Sequence, residues 1–292
     1  MKKFTTSQKK LKSFLTNKTI FITGSAGSIG SAIAKRALLH SPKKLILIDN
    51  NETDLFRITE ETKATPLLLD ITNKESAEKA FQIYKPEIVI HTAAYKHVAM
   101  LEKYPLEAIK NNIGGGLTIM GLAVRYKVNK FVFVSTDKAV NPTSVMGGTK
   151  YICEEIALLL NEVSKTKFII TRFGNVLASR GSVVEIFNKQ IAANQPLTIT
   201  DSLMKRFTMG IYEAANLVLE AANQGKGGEK FIFDMGEPVF IVDLAKLLIK
   251  LSGKDLDITI IGKNKGEKIY EELFTAEEKQ KAIKKGKLFI IK

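Results

Sequence analysis

The stretch TIFITGSAGSIGS, residues 19–31, decides the fold. Its first five residues are apolar or β-branched and read as a buried strand. The strand runs directly into Gly24, Gly27 and Gly30, spaced three apart, which open a helix expected to reach His40. Glycine suits a place where the backbone must turn tightly, approach a pyrophosphate and let a helix pack on a strand. The helix N-terminus then offers free N–H groups and a positive dipole end to the phosphates. Lys44 to Ile48 reads as a second strand ending at Asp49. A carboxylate there binds both ribose hydroxyls of NAD and repels the 2′-phosphate of NADP. Asn50 and Asn51 follow with no arginine, so NAD is the expected cofactor. Asp70, at the end of a third strand, is placed to meet the adenine amine.

Outward from this stretch, short β-branched runs alternate with amphipathic ones, which argues for a parallel α/β sheet. Strands are expected at Pro66 to Asp70, Glu87 to His91, Lys130 to Ser135 and Lys167 to Thr171. Helices are expected at Glu52 to Lys63, from a Thr72/Glu75 capping box to Tyr84, over Val98 to Tyr126 with loosening at Gly114 to Gly116, and at Thr143 to Ser164. After Arg172 the alternation weakens. Ser182 to Asn194, Ile211 to Asn223 and Val239 to Ser252 read as helices, Lys230 to Asp234 and Asp257 to Ile261 as strands. Gln195 to Arg206 reads as loop and Gly266 to Gly286 as mixed helix. The expected architecture is a Rossmann-like doubly wound parallel sheet with a smaller C-terminal substrate-binding lobe. Its parts are a basic N-terminal extension (1–17), an NAD-binding domain (18–175) and, over 176–292, mainly the lobe.

The 292 residues are 45% hydrophobic and 25% charged, an ordinary balance for a globular protein, and no apolar run approaches the ~18 residues that span a bilayer. The N-terminus lacks the apolar core and cleavage site of a signal peptide. A single cysteine, Cys153, rules out an intramolecular disulfide, reads as a packing residue and fits a cytoplasmic setting. The net charge of +14 sits at the ends: six unopposed lysines lie in the first 18 residues and six in the last 14, and subtracting these twelve leaves +2 for the body. Such ends suit solubility or contact with an anionic membrane surface or partner. Without aromatic and basic residues interleaved, nucleic acid is not an expected ligand. No metal site is expected.

The chemistry concentrates in FVFVSTDKAVNPTSVMGGTK, residues 131–150. An apolar strand ends in Ser135, Thr136, Asp137 and Lys138, which brings hydroxyl, carboxylate and amine groups to the rim of a sheet. A helix from about Thr143 places Met146 and Lys150 one turn apart on one face. His91 to Ala94 end the fourth strand, with small residues that let the backbone pass close to a cofactor. Lys96 and His97 follow. Lys96 suits an anionic or hydroxyl-rich substrate, while His97 reads equally as a turn histidine or a direct contact. Asn112 is expected to tie its helix to the active-site strand.

The glycine motif, the Ser/Thr-Asp-Lys strand end and the Met146/Lys150 helix together resemble the extended short-chain dehydrogenases. LIDNNETDLF, HTAAYKHVAMLEKYPLEAIKNN, VSTDKAVNPTSVMGGTK, RFGNVLASRGSVV and GEKIYEELF, in this order, narrow the resemblance. They are similar to the polysaccharide-biosynthesis nucleotide-sugar 4,6-dehydratases, and within them to the catalytic domain of the membrane-bound UDP-N-acetylglucosamine branch. The resemblance covers Lys18 to Phe274. In long members a membrane-spanning segment precedes this domain; here the basic extension stands in its place.

The resemblance implies an enzyme in which bound NAD takes hydride from C4 of the hexose and returns it to C6 after water is lost across C5 and C6. It implies Thr136 at the C4 oxygen, Asp137 as acid for the C6 hydroxyl and Lys138 as base at C5. For that role Lys138 must be neutral, its pKa lowered by burial or by cations such as Lys96 and Lys150. Lys150 would hold the nicotinamide ribose. Cofactor contacts are implied at Gly24, Ser25, Gly27, Ser28, Ile29, Gly30, Asp49, Asp70, Ile71, Ala93, Ala94, Lys96, Asn112, Ser135 and Lys150. Substrate contacts are implied at Lys96, His97, Asn175, Arg180, Ser182, Arg206 and Glu267, with Arg172 a further candidate for the diphosphate. Asn264 and Lys265 precede Gly266 where Arg-Pro is usual, which puts one diphosphate contact in doubt.

Met146 stands where most of the superfamily has a tyrosine, and a thioether takes no proton. The membrane-bound branch tends to show methionine there, so the residue marks a branch. The proton of the C4 hydroxyl must then pass to Asp137, to Lys138, or through Thr136 or water. The expected activity is a C5-retaining UDP-N-acetylglucosamine 4,6-dehydratase of bacterial surface glycan synthesis, working as a homo-oligomer. A C5-inverting dehydratase, a nucleotide-sugar epimerase and a non-catalytic NAD-binding paralogue remain as alternatives.

Overall fold

The computed structural model describes residues 2–292, with side-chain surroundings from residue 9 onward. A nine-stranded sheet runs through it. In chain order its first half contains α1 (Lys2–Leu15), β1 (Thr19–Thr23), α2 (Ser28–Leu38), β2 (Lys44–Asp49), α3 (Glu52–Thr62), β3 (Thr65–Leu68), α4 (Lys74–Tyr84) and β4 (Ile88–His91). Next come α5 (Val98–Lys103), α6 (Pro105–Ala108), a π-helix (Ile109–Gly115), α7 (Gly116–Arg125), β5 (Lys130–Val134), α8 (Val145–Val163) and β6 (Lys167–Arg172). The remainder contains β7 (Asn175–Val176), α9 (Val183–Ala192), β8 (Leu197–Ile199), β9 (Lys205–Arg206), β10 (Thr208–Met209), α10 (Ile211–Gln224), β11 (Lys230–Phe233) and β12 (Val239–Phe240). It ends with α11 (Ile241–Ser252), β13 (Ile258–Ile260), α12 (Ala276–Lys281), β14 (Ile283–Lys285) and β15 (Leu288–Ile291).

The sheet order is β14-β15-β11-β6-β5-β4-β1-β2-β3. Every pairing from β11 to β3 is parallel, and β15 and β14 add antiparallel at the edge. Sheets covered by helices on both faces bury alternate residues in two different cores. Thus Ile20 and Ile22 of β1 join one cluster with Val132, Ile232 and the α10 residues Ala215 and Val218. Phe21 joins the other with Phe81, Phe131, Phe133 and Phe168. Burying one such side chain contributes ~1.5–3 kcal/mol. Order reverses between β1 and β4, the position where doubly wound sheets open a crevice at the carboxyl ends of their strands.

The structure departs from expectation in several places. The basic extension is helical, and Leu11 and Leu15 of α1 enter the core. Among the described residues, Lys18 is opposed by Glu87, Lys284 by Asp234 and Lys287 by Glu213, so the terminal lysines are not all unopposed. Asn73, not Thr72, caps α4 by accepting from Ser76 N at 3.0 Å. A capping box occurs instead at Thr275 and Glu278. Residue 176 does not divide the sheet: α10, β11, β14 and β15 return to it. The lobe proper is the small core of Phe187, Leu197, Ile199, Met204, Ile241 and Ala245. Its strand β8 lies in the presumed loop and pairs with β13, a long-range partner that local pattern does not reveal. The final strand has the same cause. Ile291 to Leu288 pair with Lys230 to Phe233, 55 or more residues away. Only α12 of the expected mixed helix over 266–286 is helical. No helix among the described residues is long and apolar enough to cross a membrane.

Candidate active site

The crevice opens where β1 and β4 end side by side. Gly24 has φ +67°, and a Cβ there would lie 2.6 Å from Ala93 Cα on the β4 side. A Cβ on Gly30 would lie 2.2 Å from Gly24 O. Both positions therefore require glycine, one by backbone conformation and contact, the other by contact of helix with loop. Gly27 is looser, its Cβ position 3.1 Å from the same carbonyl. The missing side chains leave a cradle at the α2 N-terminus that fits a dinucleotide pyrophosphate.

Beside it lies a cavity of about 270 Å³ lined by Asp49, Asn51, Ile71, Ala93, Asn111 and Arg180, among others. The Asp49 carboxylate is oriented by two backbone donors, Ala26 N at 2.9 Å and Asn51 N at 3.0 Å. Ile71, Ala93 and Ala94 line the wall. Asp70 does not: it is exposed, and its Oδ1 accepts from both the amide and the hydroxyl of Thr72 at 2.8 Å. Asn112 is also behind the wall. It accepts from Tyr95 N and donates to Tyr95 O and Thr149 Oγ1, tying the π-helix to the β4 loop and α8. Its neighbour Asn111 lines the cavity instead. The π turn over Ile109–Gly115 shifts the helical phase there, and the 3.6-residue pattern carries no mark of it. Ser25 is fully buried and its Oγ has no hydrogen-bond partner.

A second cavity of about 940 Å³ continues from the first and shares Gly24, Gly27 and Arg180 with it. Its walls include Ser28, Ile29, Gly30, Lys96, His97, Ser135, Thr136, Lys138, Met146, Lys150, Asn175 and Ser182. The strand end at β5 and the first turn of α8 thus reach one cleft. Asp137 lies just beneath this wall, fully buried. Its Oδ1 accepts from Thr136 Oγ1 at 2.9 Å and from Lys138 Nζ at 3.0 Å, and its Oδ2 has no partner. Lys138 Nζ also lies 3.5 Å from Glu271 Oε1 and donates to Asn175 Oδ1 at 3.2 Å. Burial works against the Lys138 ammonium, but Asp137 and Glu271 outweigh it and raise its pKa. The expected lowering is therefore absent, because two carboxylates flank the amine.

Burial pulls the Lys150 ammonium down to about 8 against the opposing pull of Cys153 and Glu154. Its Nζ sits 4.4 Å from the centre of the Phe133 ring. Met146 is buried against Leu101, Ala108, Val98 and Val145 in an apolar corner. Ser135 donates to Glu154, and Cys153 is buried against Asn112 O. Lys96 donates to Arg180 O at 2.6 Å, and burial followed by Arg180 lowers its pKa. His97 is lowered by burial and by Lys96.

Three residues expected at the nucleotide sit elsewhere. Arg172 is buried and bonded to Glu154, Glu278 and Leu273 O, so its fork is spent inside the protein. Arg206 donates to Lys205 O and Ile269 O and faces Glu267 at 3.5 Å. Neither Arg206 nor Glu267 lines the cleft. Met100, Leu101 and Tyr104, inside the helix expected over Val98 to Tyr126, form an apolar wall of the cavity. Glu271 lay within a quoted motif, yet nothing local identified its lysine partner.

The comparisons agree with this geometry. A family model described as "Polysaccharide biosynthesis protein" matches residues 20–292. The capsular polysaccharide biosynthesis protein CapD of Staphylococcus aureus is 47% identical over 276 residues, covering 90% of this chain and 46% of that protein. The chain spans about half the length of the first curated relatives it matches. A UDP-glucose 4-epimerase of Rickettsia canadensis is 35% identical, covering 94% of this chain and 83% of that one. The X-ray structure of Pen from Bacillus thuringiensis superposes with a TM-score of 0.91 at 36% identity, covering 95% and 90%. This chain belongs to the family described as polysaccharide biosynthesis protein.

Proposed function

We propose that this chain converts UDP-N-acetylglucosamine to UDP-4-keto-6-deoxy-N-acetylglucosamine with retention at C5, using bound NAD, for bacterial surface glycan synthesis. The observation that carries the reading is the Asp137–Lys138 pair, bonded at 3.0 Å at the cleft wall with Thr136 beside it. Loss of water across C5 and C6 needs an adjacent acid and base, and this pair supplies both. The glycine cradle and Asp49 would hold the dinucleotide, with Lys150 at its nicotinamide end. When bound, NAD supplies the hydride acceptor for C4 and the hydride donor for C6.

The residues then form a closed proton cycle. Lys138 must enter it as the neutral amine, a form that the flanking Asp137 and Glu271 carboxylates disfavour and that grows as pH rises. Thr136 takes the C4 hydroxyl proton while passing its own to Asp137 Oδ1, a path that needs no tyrosine at Met146. Asp137 is now the acid and Lys138 the base. Lys138 removes the C5 proton, and the Asp137 proton reaches the C6 oxygen, which leaves as water. Lys138, whose amine hydrogens exchange with solvent, then gives one of them as a proton to C5 as hydride arrives at C6. The pair ends as it began, an amine and a carboxylate.

A second reading, a nucleotide-sugar 4-epimerase, is favoured by the 35% identity to a protein of that name. One experiment separates them. UDP-N-acetylglucosamine is incubated with the chain in deuterated water and followed by NMR. The proposal expects a 6-deoxy-4-keto product with deuterium at C5 in the gluco configuration. A C4 epimer with no 4-keto product, an inverted C5, or no turnover overturns it. In Asp137→Asn, water loss and hydride transfer are expected to fail together, by ~100-fold or more. If that variant still reduces bound NAD with substrate, Asp137 is not the C4 acceptor.

A further inference from the structure

Glu271 is distant in sequence from the strand-end pair and adjacent to it in space. It is buried, its Oε1 is 3.5 Å from Lys138 Nζ, and its buried Oε2 has no hydrogen-bond partner. Lys138 lines the cleft, whereas neither Asp137 nor Glu271 does. The amine is therefore the cleft-facing member of a cluster whose two carboxylates stand behind it. A buried carboxylate with one oxygen unsatisfied is costly to keep unless its charge has a partner, and here the partner within reach is Lys138.

We propose that Glu271 is a positioning residue for Lys138, tethering its amine at the cleft wall and setting how tightly it holds its proton. The kinetic consequence rests on the dehydratase reading above; the tether itself does not. Three charged groups face Lys138: Asp137 from its own turn, Glu271 from the segment after Gly266, and Arg206 from β9, which opposes the two carboxylates. Asn175 adds a neutral acceptor at 3.2 Å. Replacing Glu271 alone leaves Asp137, Arg206 and Asn175 in place, so the change isolates its share.

The test is a titration of the full chain, free of substrate and labelled with ¹³C at the lysine Cε. The Lys138 resonance is identified by its loss in Lys138→Met. In Glu271→Gln its midpoint is expected at lower pH than in wild type, and in Glu271→Asp between the two. With UDP-N-acetylglucosamine, the acid limb of kcat is expected to move to lower pH in the same order, with KM changed less than about threefold. A Lys138 midpoint unmoved in Glu271→Gln overturns the proposal. Should Glu271→Gln fail to fold, an unmoved midpoint in Glu271→Asp does so. Wild type without turnover overturns the dehydratase reading and leaves the titration to decide the role of Glu271.

Discussion

The two ends of the cleft are built from different materials. At the dinucleotide end the shape is set by backbone: Gly24 against Ala93, Gly30 against Gly24 O, and Asp49 held by two amides. At the other end, proposed above to take the sugar, it is set by buried charge gathered from separate segments: Asp137 and Lys138 after β5, Asn175 on β7, and Glu271 near the C-terminus. A site made of backbone tolerates no added atom. A site made of ionic side chains tolerates small shifts in shape but not a change in charge.

The largest expected effect tests that contrast with one atom type at each end. Gly30→Val puts a branched side chain where even a Cβ would lie 2.2 Å from Gly24 O. Overpacking of this kind costs ~3 kcal/mol, and bound NAD is expected to be lost on purification, read from absorbance and mass of the released nucleotide. At the other end, a Cβ on Gly174 would lie 2.7 Å from Asp137 Oδ2 and 3.0 Å from Phe207 Cβ. Gly174→Ala is expected to retain NAD but to lower kcat by ~100-fold by displacing the carboxylate. If Gly174→Ala loses the cofactor, or Gly30→Val keeps it, the division between the ends is wrong.

The same contrast explains what could be read from the chain. The cofactor end was legible because its rules are local. A strand, three glycines at spacing three and a second strand ending at Asp49 lie within 31 residues. Asp70 and Asn112 were misplaced for the opposite reason. Asp70 turned to its own Thr72, and the π turn rotated Asn111 rather than Asn112 toward the cavity. At the sugar end the strand terminus announced Asp137 and Lys138, but the protonation of Lys138 depends on Glu271, 133 positions away. Arg172 shows the limit most plainly. As sequence it is an arginine beside nucleotide-covering motifs, and only tertiary structure supplies Glu154 and Glu278 to occupy it.

A smaller effect separates the ends by pH. His91 ends β4, stacked on Phe133 and bonded to Thr23 Oγ1 at 2.8 Å. Burial, then Lys150, lowers its pKa to about 3. Between that value and the ordinary 6.5 the unfolded chain binds a proton that the folded chain refuses, so stability falls as pH drops through this window. The slope for one proton is ~1.4 kcal/mol per pH unit. Lys150, lowered to about 8, acts in alkali. The cost of its buried charge is present below pH 8 and is relieved as pH rises toward 10.5. Urea unfolding of wild type and His91→Gln between pH 4 and 6.5 should show a shallower acid slope in the variant, with Lys150→Met altering chiefly the alkaline side and, by relieving its push on His91, the acid side less. Equal acid slopes in wild type and His91→Gln would remove His91 from the account.

The smallest effect is expected at Arg180, where the two ends meet, since it lines both cavities. Its amide donates to Ser28 Oγ at 3.0 Å, and its guanidinium bonds Asp54 and Ala26 O, so the segment after β7 is fastened across the glycine loop. The side chain is half exposed. An exposed pair contributes under ~1 kcal/mol, because water and salt screen it. Arg180→Gln should therefore leave the unfolding midpoint nearly unchanged. Its influence falls on the rate at which a nucleotide under the strap escapes, since leaving requires these bonds to open. Exchange of bound NAD against isotope-labelled NAD is expected to speed up ~3–10-fold in Arg180→Gln, the ratio expected for a contribution near 1 kcal/mol. Wild type in 0.5 M salt should move part of the way toward the variant. An exchange rate indifferent to both changes would mean that the backbone cradle holds the cofactor without help from the sugar-end segment, and the two ends would then be independent.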